Sequence, residues 1–178
     1  MGIAISSGHG LHVPGAHTVL GSEVLQARRV TQDVCRLLRL KGISMFEFHD
    51  DVSRNQNDNL NRIIDWHNSL ERDLDVSIHF NAIAGITANG IGVEVLFRND
   101  AERELAAHTS ALISYHGQFR NRGAVRRDNL RVLNMVNRPC VLIEVCFINS
   151  ETDMRLYRQN YDAICEGIAL ALVKERGE

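Results

Sequence analysis

The stretch Val141-Leu142-Ile143-Glu144-Val145-Cys146-Phe147 is apolar at every position but one. A short continuous apolar run rich in β-branched residues is the pattern of a strand buried on both faces. Such a strand needs a layer above it and a layer below it, and the rest of the chain supplies helices for both. Ile3 to Ser6 is a short candidate strand. Ser22 is a plausible N-cap, and from Glu23 to Lys41 the residues Val24, Ala27, Val34, Leu37 and Leu38 mark one helical face, with Gly42 as the stop. Ile43 to Phe48 alternates as a strand, Asp58 to Arg72 reads as a helix, and Asp75 to Phe80 and Ile91 to Phe97 as strands. Ala101 to Tyr115 is helical again, and Leu130 to Leu133 reads as a brief strand. Ser150-Glu151-Thr152-Asp153 has the form of a capping box, opening a helical region that runs to about Lys174. Strands separated by helices imply an α/β domain, a twisted sheet with helices on both faces. With no linker and no repeat, residues 1–178 read as a single domain.

Composition narrows the function classes. A net charge of −2 and 6% aromatic residues leave neither the basic face nor the stacking platform that nucleic acid requires. The locally basic segment holding Arg120, Arg122, Arg126 and Arg127 reads first as a solvated loop, and second as a contact for anionic carboxylates. Cys35, Cys140, Cys146 and Cys165 form no CxxC pair and lie in apolar segments, so they are expected to be buried and reduced. The N-terminus goes straight into a short apolar run, Gly2 to Ile5, with no basic region followed by the longer apolar region of a signal peptide, so synthesis in the cytoplasm without one is expected. No apolar run is long enough to insert into a membrane.

Polar residues at strand ends carry the chemical information, because functional groups of α/β sheets gather at the carboxyl ends of strands. His9 follows the first strand, His79 ends the third, and Glu23 opens the first helix on the same side. Two imidazoles and one carboxylate leave a fourth tetrahedral position free, the form of a catalytic zinc site. Each residue also has a plainer role. Glu23 suits a helix N-terminus as a carboxylate, His79 suits a hydrogen-bonded core position, and His12 and His17 flank the same loop as His9 with equally suitable spacing. Glu144 is a charge in a buried strand, which is costly unless paired or placed at an opening. It serves either as half of an ion pair with an arginine or as a carboxylate facing a reacting water. Glu94, in Gly92-Val93-Glu94-Val95-Leu96, raises the same question. Ser7-Gly8-His9-Gly10 matches neither the dinucleotide nor the P-loop fingerprint, so a nucleotide-binding domain ranks last.

Taken in order, Gly8-His9-Gly10, Pro14-Gly15-Ala16, Glu23, Ser77-Ile78-His79-Phe80-Asn81-Ala82, Gly92-Val93-Glu94-Val95 and Leu142-Ile143-Glu144-Val145-Cys146-Phe147-Ile148 resemble the zinc-dependent N-acetylmuramoyl-L-alanine amidases of the amidase type-3 family. Arg120-Asn121-Arg122-Gly123 resembles the stretch before the last part of that domain, and the likeness runs from Ile3 to about Ala171. It implies a mixed, twisted sheet of about five or six strands and hydrolysis of the bond between N-acetylmuramic acid and L-alanine in peptidoglycan. It also implies one zinc ion on His9, Glu23 and His79, with Glu144 as the catalytic glutamate; His12 and His17 match no ligand position. Asn81, Glu94 and Arg122 become the candidate substrate contacts. Ser6-Ser7 stand where the family often has Asp-Pro, and Leu11 where a glycine often follows, which alters loop shape and bears on substrate fit. The chain is expected to lack a wall-binding module and to be a monomeric catalytic domain of the phage-lysin kind, acting on the wall after release. The alternatives are a zinc peptidase acting within the stem peptide and a non-catalytic wall-binding domain.

Overall fold

Alternation along the first strand sets the layering. In the computed structural model, which describes residues 2–174, β1 spans Gly2–Gly10. Ile3 and Ile5 enter one apolar core, while Ser6 turns to the opposite face and meets His67. A short ribbon follows, β2 (His17–Thr18) and β3 (Gly21–Ser22), and then α1 (Glu23–Leu40), β4 (Ser44–Asp50), α2 (Gln56–Asn68) and β5 (Leu74–Asn81). Next come β6 (Val93–Phe97), a 3-10 turn at Asp100–Glu102, α3 (Arg103–Gly117), β7 (Asn121–Arg126) and α4 (Arg131–Met135). The chain ends in β8 (Cys140–Phe147), α5 (Glu151–Gln159) and α6 (Tyr161–Lys174).

The main sheet has six strands in the order β4-β1-β5-β8-β6-β7. All neighbours are parallel except β6 and β8, so the sheet is mixed. Along β8, Val141 and Ile143 face the larger core, which α1, α3, α5 and α6 cover with residues such as Val34, Ile113, Met154 and Ile168. Cys140 and Leu142 face a smaller core, built with Ile63 and Ile64 of α2 and Val132 and Leu133 of α4. The apolar run is therefore buried on both faces, as its composition requires. All four cysteines are free and buried, and none of the described helices is long and apolar enough to cross a membrane.

Several boundaries differ from the sequence expectation, each for a local reason. The basic segment is an edge strand rather than a loop: β7 pairs with β6, and its charges suit an edge that must not recruit another strand. Leu130 to Leu133 does not form a strand. Asn134 donates to the Leu130 carbonyl (3.1 Å) and Val136 to the Val132 carbonyl (3.3 Å), making the short helix α4. A four-residue segment with three apolar positions, Leu130, Val132 and Leu133, does not distinguish the two by periodicity. α2 starts before Asp58, because the Asn55 side chain caps it by accepting from the Asp58 N–H at 3.0 Å. β6 starts after Gly92, because Asp153 takes the N–H groups of Ile91 (3.0 Å) and Gly92 (2.9 Å). Ser150 does cap α5, accepting from the Asp153 N–H at 3.0 Å, but the C-terminal helical region breaks at Asn160 into two helices.

Under the smaller core lies a buried polar network. His67 Nδ1 donates to Asp75 Oδ1 (2.7 Å), and His67 Nε2 shares a hydrogen bond with Ser6 Oγ (2.9 Å). Arg72 closes on the same carboxylate through Nε (2.9 Å) and a terminal nitrogen (2.8 Å). Burial alone would push the Asp75 carboxyl up, but the hydrogen bonds and charges of His67 and Arg72 outweigh it and hold it below its ordinary value. A depressed folded pKa stabilises the fold fully above the unfolded value near ~3.9, and that stability is lost as pH falls through the lower folded value. Asp75→Ala should cost about 3–5 kcal/mol, since it strands a buried guanidinium, and should flatten the acid limb of the stability profile. Urea unfolding between neutral and acid pH measures both; a loss under about 1 kcal/mol would mean that the network contributes little.

Candidate active site

Three chain segments deliver the candidate metal ligands to the carboxyl edge of the sheet. His9 lies near the end of β1 with φ 65°, in the left-handed region that a non-glycine residue rarely occupies. Strain of this kind persists only where surrounding contacts enforce it. His79 lies near the end of β5, on the same face as Ser77 and Asp75, because Val76, Ile78 and Phe80 take the larger core. Glu23 opens α1, but its side chain turns into the site. Its Oε2 accepts from the Ala16 N–H (2.8 Å) and its Oε1 from the Phe80 N–H (3.3 Å), while its own N–H donates to the Ala16 carbonyl (2.9 Å).

These residues converge. His9 Nε2 and His79 Nδ1 each lie 3.1 Å from Glu23 Oε1, and one ligand atom from each of the three residues lies within 4.8 Å of the others. Ser77 Oγ lies 3.1 Å from His79 Nε2, which leaves Nδ1 as the nitrogen facing the cluster. A ligating imidazole is ordinarily oriented in this way by a partner on its other nitrogen. Burial works to raise the Glu23 carboxyl, but the two imidazoles prevail and hold it far below its ordinary value. Burial also lowers His79, against the opposing pull of Glu23. Two glycines make the approach possible. A Cβ on Gly8 would fall 2.2 Å from the His79 ring, and one on Gly15, at φ 67°, would fall 2.5 Å from both Glu23 and His9.

Glu144 stands beside this cluster. Its Cα is paired with His79 across β5 and β8 and with Glu94 across β8 and β6, so the three side chains share one face. Oε2 of Glu144 is buried and has no hydrogen-bond partner. Burial pushes this carboxyl well up, the negative charges of Glu23 and Glu94 add to the shift, and Arg127 opposes it. The expectation of an ion-paired structural glutamate is thus not met at Glu144; it is met at Glu94. There, Asn81 donates to Oε1 (2.9 Å) and Arg122 Nε donates to Oε2 (2.7 Å), with the guanidinium 5.3 Å from the Phe147 ring centre.

His9, Glu23, His79, Asn81, Glu94 and Glu144 all line one pocket of about 640 Å³. His12 and His17 are exposed and stand outside the cluster. The sequence reading did not single out Ser77, although its place two residues before His79 puts it on the same strand face. It also left Arg127, which lines the same pocket, without a definite role. Two imidazoles and a carboxylate with converging lone pairs fit a divalent metal of the zinc type. Glu23 is buried without a lysine or arginine partner among the described residues, so a cation held here would supply its counter-charge. Gly8→Ala should keep the fold yet weaken zinc binding by about tenfold or more, because the His79 ring must move. Calorimetric titration of zinc into the stripped protein reads this directly, and unchanged affinity would mean that the ring tolerates the methyl group.

The family profile for N-acetylmuramoyl-L-alanine amidase matches residues 3–174. An uncharacterized 38.4 kDa protein of Clostridium perfringens is 28% identical over 185 residues, covering 98% of this chain and 53% of its own. The probable cell wall amidase LytH of Staphylococcus aureus is 34% identical over 107 residues, which is 57% of this chain and 36% of its own. This chain therefore spans about half, or less, of the length of these relatives. The fold is shared with the catalytic domain of the CD27L endolysin that targets Clostridium difficile, at TM-score 0.84 and 22% identity, covering 97% of each chain. It is also shared with an N-acetylmuramoyl-L-alanine amidase from Clostridium difficile 630, at TM-score 0.86 and 24% identity, covering 98% of this chain and 96% of that one. With nearly its whole length matched by the profile, this chain belongs to the N-acetylmuramoyl-L-alanine amidase family.

Proposed function

We propose that this chain hydrolyses the amide bond between N-acetylmuramic acid and L-alanine in peptidoglycan, as a single catalytic domain with one zinc ion held by His9, Glu23 and His79. The observation that carries this reading is the unpartnered, buried oxygen of Glu144 in the same pocket as a three-ligand cluster. When bound, zinc supplies Lewis-acid activation of a water and of the carbonyl under attack. Glu144 takes the proton from the attacking water and then delivers it to the alanine nitrogen, which otherwise leaves poorly as an anion. A carboxyl pushed up by burial holds the proton well between the two transfers, while the positive charge of a bound cation would favour the ionised form that takes the proton first.

The three candidate substrate residues divide by exposure. Glu94 is 2% exposed and both its oxygens are engaged, so it acts by position, fixing Asn81 at the pocket wall and Arg122 beside it, outside the pocket lining. The side chain of Arg122 is 37% exposed, and its remaining N–H groups are the ones available to substrate. The polymer target places the action of the enzyme at the cell wall.

Purified peptidoglycan treated with the zinc-loaded chain should gain N-terminal alanine, and a chelator should abolish the gain. Release of other amino termini would instead assign a peptidase. Glu144→Ala should keep its fold and one equivalent of zinc while losing about 10²–10⁴-fold in turnover, the usual worth of general acid–base assistance. Metal analysis together with the alanine-release rate decides this, and normal turnover by the folded, loaded variant would remove Glu144 from the chemistry.

A further inference from the structure

The active-site pocket is polarised. Its sheet-edge end carries Glu23, Glu94 and Glu144, and its floor continues over Leu96 and Leu142 to two arginines, Arg127 and Arg131. Arg131 is held by α2, donating to Asn57 Oδ1 (3.3 Å) and Asn61 Oδ1 (2.6 Å), both neutral amide oxygens that fix its direction and leave its charge uncompensated. Arg127 is fixed through its backbone N–H on the Phe97 carbonyl (2.8 Å). No carboxylate pairs with either arginine among the described residues, whereas the adjacent Arg126 pairs with Asp128 at 3.2 Å and Asp100 at 3.7 Å. The two arginines thus form a cationic end to a pocket whose other end is anionic.

We infer that Arg127 and Arg131 form a subsite for a carboxylate on the peptide side of the substrate, namely the free α-carboxylate of the residue that follows L-alanine. The inference rests on the amidase reading, which places the scissile bond beside Glu144. Spacing supports it. Glu94 is paired with Glu144, and Phe97, three residues further along β6, is paired with Arg126. Three strand residues span roughly 10 Å, and two extended residues of substrate span roughly 7 Å, so a long arginine side chain closes the difference. Guanidinium is also the side chain best matched to a carboxylate, which it binds through two parallel hydrogen bonds. The pocket then favours stem peptides whose second residue keeps its α-carboxylate over those in which that group is amidated.

The test uses uncross-linked glycan strands bearing identical stem peptides, with the second residue as D-isoglutamate in one set and D-isoglutamine in the other. The zinc-loaded wild type should cleave the acid form with kcat/KM about tenfold or more above the amide form, mostly through KM. Arg127→Met should raise KM for the acid and bring the ratio toward one, and Arg127→Lys should restore part of the preference. Equal kcat/KM on both substrates by the wild type overturns the subsite and leaves the amidase reading standing. An equal loss on both substrates in Arg127→Met also overturns it, since that is the mark of a merely structural role. Cleavage of neither substrate by the wild type overturns the amidase reading, and the subsite with it.

Discussion

Glu144 sits near the middle of β8, with β5 on one side and β6 on the other, and its placement governs the rest of the site. Pairing with β5 brings His79 abreast of it, and antiparallel pairing with β6 brings Glu94 abreast on the other flank. Three ionisable side chains in one row across a buried sheet are unfavourable unless each is answered. Glu94 is answered by Asn81 and Arg122, His79 by Glu23 and Ser77, and Glu144 by nothing among the described residues. The register also slips just beyond this row: His79 pairs with Glu144, but Asn81 pairs with Phe147, so β8 carries one extra residue. Val145 and Cys146, adjacent in sequence, consequently both enter the larger core. Bulges of this kind re-aim side chains next to active sites, and here the bulge ends regular pairing just after the carboxylate.

The two faces of the sheet are unequal, and this explains where the pocket opens. Three long helices and α5 cover one face with an extensive apolar core. The other face has only α2 and the five-residue α4, whose buried apolar residues form a much smaller cluster. Between that cluster and the sheet edge the face is polar, from the Ser6–His67–Asp75 network to the imidazoles of His79 and His9. A helix long enough to bury Leu142 and Leu96 completely and to continue over Glu144 would close the site. The short α4 stops at Met135 and leaves the groove open.

How much of this was legible in the sequence depends on the kind of signal. The sheet with helices on both faces was legible because β8 is apolar on both faces and α1 is strongly periodic. The ligand cluster was partly legible, since strand ends and a helix start place His9, Glu23 and His79 on one side, but spacing alone kept His12 and His17 in contention. What was not legible depended on long-range partners. β7 reads as a charged loop because its strand character comes from pairing with β6 rather than from its own residues. α4 reads as a strand because the three apolar positions Leu130, Val132 and Leu133 fit either period. The different fates of Glu94 and Glu144, one paired and one unpartnered, follow from Arg122 and Asn81, distant residues that no local pattern connects to them.

Close backbone approach is the remaining physical requirement of the site, and it explains residues that carry no chemistry. Glu23 is held through Ala16, a residue of the loop between β1 and β2, by an exchange of two hydrogen bonds. That exchange draws the loop down onto the two ligands, so the loop residue above them has no room for a side chain. Gly15 meets this need, and its φ of 67° would strain most other residues even if space were available. His9 accepts the same left-handed conformation without being glycine, which is tolerable only because the Glu23 carboxylate holds its imidazole. A ligand held under backbone strain is preorganised at the expense of the free chain. The strain at His9 and the tight seat at Gly15 are therefore two consequences of one constraint, the folding of the loop after β1 over the first turn of α1.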